Sequence, residues 1–221
     1  MKLFGGLLKS SREIIIVTLL QYVILILLVL LFGKNKTIFL GTIILNIFEI
    51  IYIIYAIKRN KKINLTGNNN YFPYLMLGIA IATIFNSIIL KYTNIDVTTR
   101  STSIGVIISS CIIGPIFEEF LFRYSFINKL NKFFNNTFCI IISSTLFAIL
   151  HNNLLMIIFA FIIGITNAYI YIRKRDIIIP IILHISSNLM GELFFSYNNI
   201  IFLLGILILI ISLILIRKES I

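Results

Sequence analysis

The sequence has few charged residues, and this scarcity excludes an ordinary soluble domain. Only 12% of its 221 residues are charged and 59% are hydrophobic, whereas soluble domains carry about 25% charged and about 45–50% apolar residues. The chain has no tryptophan, three prolines and two cysteines. Cys111 and Cys139 lie in apolar stretches without CxxC spacing, which favours their packing as small hydrophobic residues over a disulfide.

Polar linkers are equally scarce, because apolar runs long enough to cross a hydrocarbon layer of about 30 Å recur along the chain. The predicted helices cover residues 13–32, 37–57, 71–90, 102–123, 137–152, 154–172, 177–197 and 200–216. We therefore predict an all-α fold, a polytopic transmembrane bundle of about eight spans. No connection is long enough for a second domain, so residues 1–221 are expected to form a single integral membrane domain.

Lysine and arginine give the chain a formal net charge of +11 and lie almost entirely between the apolar runs. If the N-terminus is cytoplasmic, most of these residues are also cytoplasmic, as the positive-inside rule requires. We therefore predict a multi-pass protein of the cell membrane with both termini in the cytoplasm. No basic face carries interleaved aromatic residues, so nucleic acid is not an expected partner. The short loops and the composition suggest a bacterial source.

Acidic residues are few, and two of them are adjacent within an apolar run. A charge at the bilayer centre costs at least about 2.5–3.5 kcal/mol on insertion scales, so it needs a partner or a function. Glu119 and Arg123 have the spacing and order of an intrahelical ion pair. Glu118 lies about 100° around the helix and needs a partner from another helix. Pro115 leaves the carbonyl of Cys111 without its usual donor, which predicts a bend before the two acids.

The two histidines of the chain also lie in or beside apolar runs. Phe147 and His151 are four residues apart and share a helix face, as do His184 and Asn188, with Glu192 one turn further. Together with the paired acids, these side chains occupy three helices that can converge in one bundle. A structural network of salt bridges and hydrogen bonds is the alternative. The remaining polar residues of the apolar runs are expected to form interhelical hydrogen bonds, namely Asn46, Glu49, Asn86 and Asn167.

In this order, the three segments resemble the motif set of the CAAX protease and bacteriocin-processing family of intramembrane proteases, also called the Abi family. The family pattern is EExxxR, then FxxxH, then HxxxN or HxxxD. All seven positions are matched, by Glu118, Glu119, Arg123, Phe147, His151, His184 and Asn188. The resemblance covers about residues 105–195, while the first three predicted helices and the last match nothing specific.

The resemblance implies an intramembrane endopeptidase that hydrolyses a peptide bond in a hydrophobic or membrane-tethered substrate. The catalytic residues it implies are Glu118, Glu119, His151, His184 and Asn188, and the supporting residues are Arg123 and Phe147. Glu118 with His151 would orient and deprotonate the attacking water. His184 and Asn188 would donate hydrogen bonds to the oxyanion.

Two chemistries fit these residues. The favoured mechanism, water activated by glutamate and histidine, requires no cofactor. Zinc is the alternative cofactor, and its ligands would be Glu118, His151 and His184. The predicted topology conflicts with direct cooperation, because it separates Glu118 and His151 in depth by about 10 Å or more.

The sequence is also compatible with two other functional classes. The first is a non-proteolytic role, in bacteriocin self-immunity or as a membrane scaffold, since complete motifs do not prove turnover. The second is a transporter, because buried acids and histidines also build proton relays. The sequence shows no inverted repeats or paired broken helices, which disfavours a transporter. It identifies neither the substrate nor the oligomeric state.

Overall fold

Helices account for almost all of the structure, a computed structural model that describes residues 2–59, 69–93, 103–193 and 198–219. These ranges contain no β-strand, and the all-α prediction is confirmed. The eight helices within these ranges are α1 Gly5–Gly33, α2 Leu40–Arg59, α3 Phe72–Tyr92, α4 Ile104–Leu130, α5 Asn136–Ile149, α6 Leu154–Lys174, α7 Ile178–Leu193 and α8 Asn199–Lys218. Residues 194–197, the end of the seventh predicted span, lie outside the described ranges.

A glycine separates the first two helices. Helical structure runs from Lys2 to Arg59, but Gly33 has φ 72° and ψ 165°, which is not helical. Positive φ is accessible to glycine because it has no Cβ. The break divides the long apolar run into two segments, as the sequence predicted.

In the described part of the chain, six helices are long and apolar enough to cross a membrane, namely α1–α4, α6 and α8, whereas α5 and α7 are shorter. The chain is therefore a multi-pass membrane protein. The most apolar windows of α1, α2 and α8 are only 11–17% buried, against 33–44% for α3, α4 and α6. The first group is peripheral and exposes leucine and isoleucine side chains, while the second group forms the interior of the bundle.

Small residues allow the inner helices to pack closely, as is usual in membrane bundles. A Cβ on Gly78 of α3 would lie 2.1 Å from Ser186 Oγ and 2.3 Å from the Leu183 carbonyl oxygen of α7. A Cβ on Gly164 of α6 would lie 3.1 Å from Ser144 Cβ of α5. These two contacts bring α3 against α7 and α5 against α6.

Helix α4 is longer than predicted. We expected it to end at residue 123 and the segment 124–136 to form an amphipathic surface helix or a loop. Instead, α4 continues to Leu130, because Phe126, Ile127 and Leu130 bury their side chains in the core. Glu118 consequently lies midway along α4 and not near its end, so the expected depth separation from His151 was wrong.

Candidate active site

Helix α4 contains two π-helical segments, Ser109–Ile113 and Phe120–Ile127. Segments of this kind occur often at functional sites, because one extra residue per turn changes the direction of the side chains. The first segment ends just before Pro115, and the second begins immediately after Glu119. The two adjacent glutamates therefore occupy a short α-helical turn between two local distortions.

The first π-helical segment exposes a backbone carbonyl. The N–H of Gly114 bonds to the Ser109 carbonyl, five residues earlier, and the next residue, Pro115, has no N–H. The Ser110 carbonyl therefore lacks a donor from the fourth or the fifth residue after it, and it accepts instead from Asn188 Nδ2 at 3.0 Å. This contact ties α7 to α4.

The sequence predicted that Pro115 leaves the carbonyl of Cys111, four residues earlier, without its usual donor. The Ser110 carbonyl lies one residue before Cys111, and it is freed because the Gly114 N–H bonds to Ser109. The helix is thus π-helical just before Pro115, where the sequence predicted a bend.

A buried ion pair lies behind the glutamates. Glu119 and Arg123 are both fully buried, and Arg123 Nε lies 3.1 Å from Glu119 Oε2, which confirms the predicted intrahelical pair. Asn167 Nδ2 donates to Glu119 Oε1 at 2.9 Å. Arg123 Nη2 donates to the Gly164 carbonyl at 3.2 Å, and its guanidinium carbon lies 4.7 Å from the centroid of the Phe147 ring. The pair thus connects α4 with α5 and α6.

Glu119 also orients a histidine from α7. His184 Nδ1 lies 2.8 Å from Glu119 Oε1, and both side chains are buried. A carboxylate in this position accepts the Nδ1 hydrogen and so sets the orientation of the ring. His184 Nε2 then lies 3.7 Å from Glu118 Oε2. Glu118 therefore has the partner from another helix that the sequence required.

His151 follows the C-terminal end of α5. Its Nδ1 lies 3.2 Å from the Phe147 carbonyl oxygen, and the two rings meet edge to face with centroids 5.1 Å apart. The ring of Phe147 also lies edge to face with His184, at 5.6 Å. Phe147 therefore contacts both imidazoles, which extends its predicted role as a brace for His151.

Two cavities meet at these residues. The first, here the glutamate cavity, has a volume of about 530 Å³ and contains Glu118, together with Gln21 of α1 and Glu49 of α2. The second, here the amide cavity, has a volume of about 270 Å³ and contains His184 and Asn188. Their shared wall consists of Phe147, His151, Asn153 and Met156.

The structure brings all seven motif residues into or next to this pair of cavities. The Glu118 side chain is 31% exposed and that of Glu119 is 0% exposed, so one glutamate faces open space and the other is enclosed. Sequence reasoning did not connect Asn167 with Glu119 or Asn188 with Ser110. The only available signal was an asparagine in an otherwise apolar helix, which does not identify its partner.

Most of the predicted interhelical hydrogen bonds are present. Asn46 accepts from Ser109 Oγ at 2.7 Å, and Glu49 accepts from Gln21 Nε2 at 3.2 Å. The bond from Asn167 to Glu119 is a third. For Asn86 no such bond is made by its donor atom, since the buried Nδ2 has no hydrogen-bond partner among the described residues.

The three candidate zinc ligands are Glu118, His151 and His184. In the described parts of the chain, no group of three His, Cys, Asp or Glu side chains is arranged to hold a metal ion. Glu118, His151 and His184 are therefore near one another without forming a three-ligand set.

Comparison with known proteins adds two findings. Residues 100–190 match the family model described as Type II CAAX prenyl endopeptidase Rce1-like. A curated protein of Bacillus subtilis (strain 168), "Putative membrane peptidase YdiL", is 37% identical over 83 residues, which are 38% of this chain and 34% of that protein. The match thus spans about a third of the length of this relative. No solved structure matches the chain.

Proposed function

We propose that this chain is an intramembrane endopeptidase, because its motif-bearing core, residues 100–190, matches the model of the Rce1-like CAAX prenyl endopeptidase family. It hydrolyses a peptide bond in a hydrophobic or membrane-tethered peptide, yielding a carboxylate and an amine. The observation that carries this proposal is the position of Glu118. Its carboxylate faces a cavity shared with His151 and lies 3.7 Å from His184 Nε2.

Glu118 acts as the general base. Its carboxylate takes a proton from a water molecule in the glutamate cavity while the water oxygen attacks the carbonyl carbon of the scissile bond. As the C–N bond breaks, Glu118 returns that proton to the leaving nitrogen. His151, in the shared wall, orients the water from the other side.

His184 and Asn188 stabilise the oxyanion. Since the Nδ1 hydrogen of His184 is directed at Glu119, donation from Nε2 requires the doubly protonated ring. Asn188 has two amide hydrogens, one of which bonds to the Ser110 carbonyl, leaving the second for the substrate. Removal of an oxyanion donor typically lowers kcat by about 10²–10³.

The glutamate cavity supports hydrolysis in a second way, because the reaction needs water in an apolar region. Its walls include the polar side chains of Thr18, Gln21 and Glu49. These residues come from α1 and α2, outside the family-matched segment. They give water hydrogen-bonding partners beside Glu118.

The test is cleavage of a panel of hydrophobic, membrane-tethered and CAAX-type peptides by detergent-purified protein. Wild type is compared with Glu118→Gln and with Glu219→Gln, a carboxylate at the end of α8 that lines neither cavity. Cleavage lost only in Glu118→Gln and retained with a zinc chelator supports the proposal. Loss with the chelator would indicate a zinc enzyme. Absence of cleavage throughout would favour the self-immunity or scaffold role.

We also propose that both termini are cytoplasmic, in the cell membrane. Basic residues occupy the last turns of the even-numbered helices α2, α4, α6 and α8. Glu13 of α1 forms ion pairs with Arg59 of α2 and Lys129 of α4, which supports a common side for these helix ends. Labelling of cysteines introduced at Lys174 and Lys218 with an impermeant reagent in intact cells should fail until the cells are opened. Labelling in intact cells would contradict this orientation.

A further inference from the structure

The amide cavity contains a donor without a partner. Asn86 of α3 lines this cavity together with His184 and Asn188. Its Nδ2 atom is buried, and among the described residues nothing accepts its hydrogen bonds. Buried amide groups are nearly always paired, because an unpaired one has lost its hydration without compensation. An unpaired amide beside a candidate active site therefore indicates a ligand with an acceptor.

Two neighbouring polar side chains of this wall already have partners within the protein. Ser187 Oγ donates to the His184 carbonyl at 2.8 Å, and Asn188 Nδ2 donates to the Ser110 carbonyl at 3.0 Å. Among the described residues, Asn86 Nδ2 is the side-chain atom of this wall that is buried and has no hydrogen-bond partner at all. Helix α3 also lies outside residues 100–190, so the family match does not include this residue.

The rest of the cavity wall is largely apolar. Phe85, Phe159 and Ile163 line it, and these side chains can pack on an apolar substrate side chain but cannot hydrogen bond to a peptide group. A peptide that enters such a cavity loses water from its backbone carbonyls, and each carbonyl then needs a donor. A hydrogen bond between the unpaired amide and a desolvated peptide carbonyl would compensate both groups for their lost hydration.

We propose that Asn86 Nδ2 donates a hydrogen bond to a backbone carbonyl of the bound peptide, next to the scissile bond. This inference rests on the proposed peptidase function and adds α3 to the substrate-binding surface. Asn86 is a ground-state contact, distinct from the oxyanion donors. Its loss therefore weakens peptide binding and leaves kcat nearly unchanged.

A neighbouring residue provides a matched control. Ser87 also lies on α3, its hydroxyl is buried, and it has no partner among the described residues, but it lines neither cavity. Ser87→Ala therefore removes an unpaired polar group from the same helix turn without changing a cavity wall. Asn86→Leu and the smaller Asn86→Ser are the test variants.

Peptide affinity is measured in the Glu118→Gln background, where bound peptide is not cleaved, and kcat and KM are measured with Glu118 present. We expect Asn86→Leu to raise Kd about three- to tenfold, which corresponds to one hydrogen bond. Asn86→Ser is expected to raise it less, and Ser87→Ala to leave it unchanged. A further set of peptides replaces one backbone carbonyl at a time by a thioamide. At one position this replacement should raise the Kd of the protein that has Asn86 but leave the Kd of Asn86→Leu unchanged.

Each result has a separate meaning. Unchanged Kd in both Asn86 variants, or equal losses in Ser87→Ala, would overturn the inference. A fall in kcat with unchanged Kd would also overturn it, by making Asn86 a transition-state donor. If Asn86→Leu does not fold, Asn86→Ser decides the question. If wild type cleaves no peptide, the proposed function fails, whereas the Kd comparison still tests Asn86 as a peptide-binding residue.

Discussion

The two sides of α4 have different surroundings, although they carry the same kind of residue. On the packed side, Glu119 is enclosed by Arg123, Asn167 and His184. On the open side, Glu118 faces the glutamate cavity and has His184 Nε2 at 3.7 Å. On the packed side, the charge of Glu119 is paired within the protein. On the open side, part of the Glu118 carboxylate remains accessible from the cavity.

Because of this difference, we expect Glu119 to contribute mainly to stability and Glu118 mainly to the reaction. A buried carboxylate with an ion pair and two further contacts cannot approach a substrate, but it can hold the groups that do. A partly exposed carboxylate beside a cavity can exchange protons with water. Mutations on the two sides are therefore expected to affect different measurements.

The largest effect is expected from the two glutamates themselves. Glu118→Gln should lower kcat by about 10²–10⁴, the usual contribution of a general base, while the free energy of unfolding changes by less than about 0.5 kcal/mol. Glu119→Gln should instead lower stability as well as activity. Cleavage kinetics and unfolding in mixed micelles of both variants test this contrast. Equal losses of stability would remove the distinction between the two sides.

The buried ion pair gives the next effect. Arg123→Leu leaves Glu119 without its cation and should cost about 3–5 kcal/mol of unfolding free energy. The double variant Glu119→Leu, Arg123→Leu should recover part of this loss, because no unpaired charge remains. Unfolding transitions of wild type, both single variants and the double variant measure the coupling. Additive single losses would show that the pair is not coupled.

A smaller effect is expected from the amide that supports Glu119. Asn167 Nδ2 donates to Glu119 Oε1 and to the Pro180 carbonyl at 3.2 Å. Asn167→Leu should therefore destabilise the protein by about 1–3 kcal/mol, the cost of unsatisfied buried acceptors. The control is Thr166→Val, since the Thr166 hydroxyl bonds to the Ile162 carbonyl within α6. The prediction is wrong if both variants unfold at the same denaturant concentration.

The smallest effect compares two glycines. Gly164 of α6 faces the packed side of α4, and a Cβ on it would lie 3.1 Å from Ser144 Cβ. A Cβ on Gly191 of α7 would meet nothing within 4 Å. Gly164→Ala should cost about 1 kcal/mol, as overpacking exceeds the gain in helix propensity. Gly191→Ala should be neutral or stabilise α7 by up to about 1 kcal/mol. The midpoint temperatures of thermal unfolding of the two variants should shift in opposite directions or by clearly different amounts.

Helix positions were predictable because hydrophobicity alone marks a chain segment that must lie in lipid. The prediction failed where apolar and basic residues alternate, between Tyr124 and Leu130. There the buried Phe126 and Leu130 extend α4 into the core. Local composition could not show this, since burial depends on helices that are distant in the sequence.

The candidate site was predictable to the level of residue types and spacing. The four-residue spacing of Glu119 and Arg123 predicted their ion pair, which is present at 3.1 Å. The hydrogen bond from His184 to Glu119 spans 65 positions, and no periodicity within one helix indicates it. The same holds for Asn188 and the carbonyl of Ser110.

Hydropathy and spacing within one helix are enough to predict the helical membrane fold, the connecting segments that hold most basic residues and the three motif-bearing segments. Which of the two adjacent glutamates is enclosed and which faces a cavity depends on contacts between helices. Helical geometry separates Glu118 and Glu119 by about 100°. What each side then contacts is set by the packing of α5, α6 and α7 against α4.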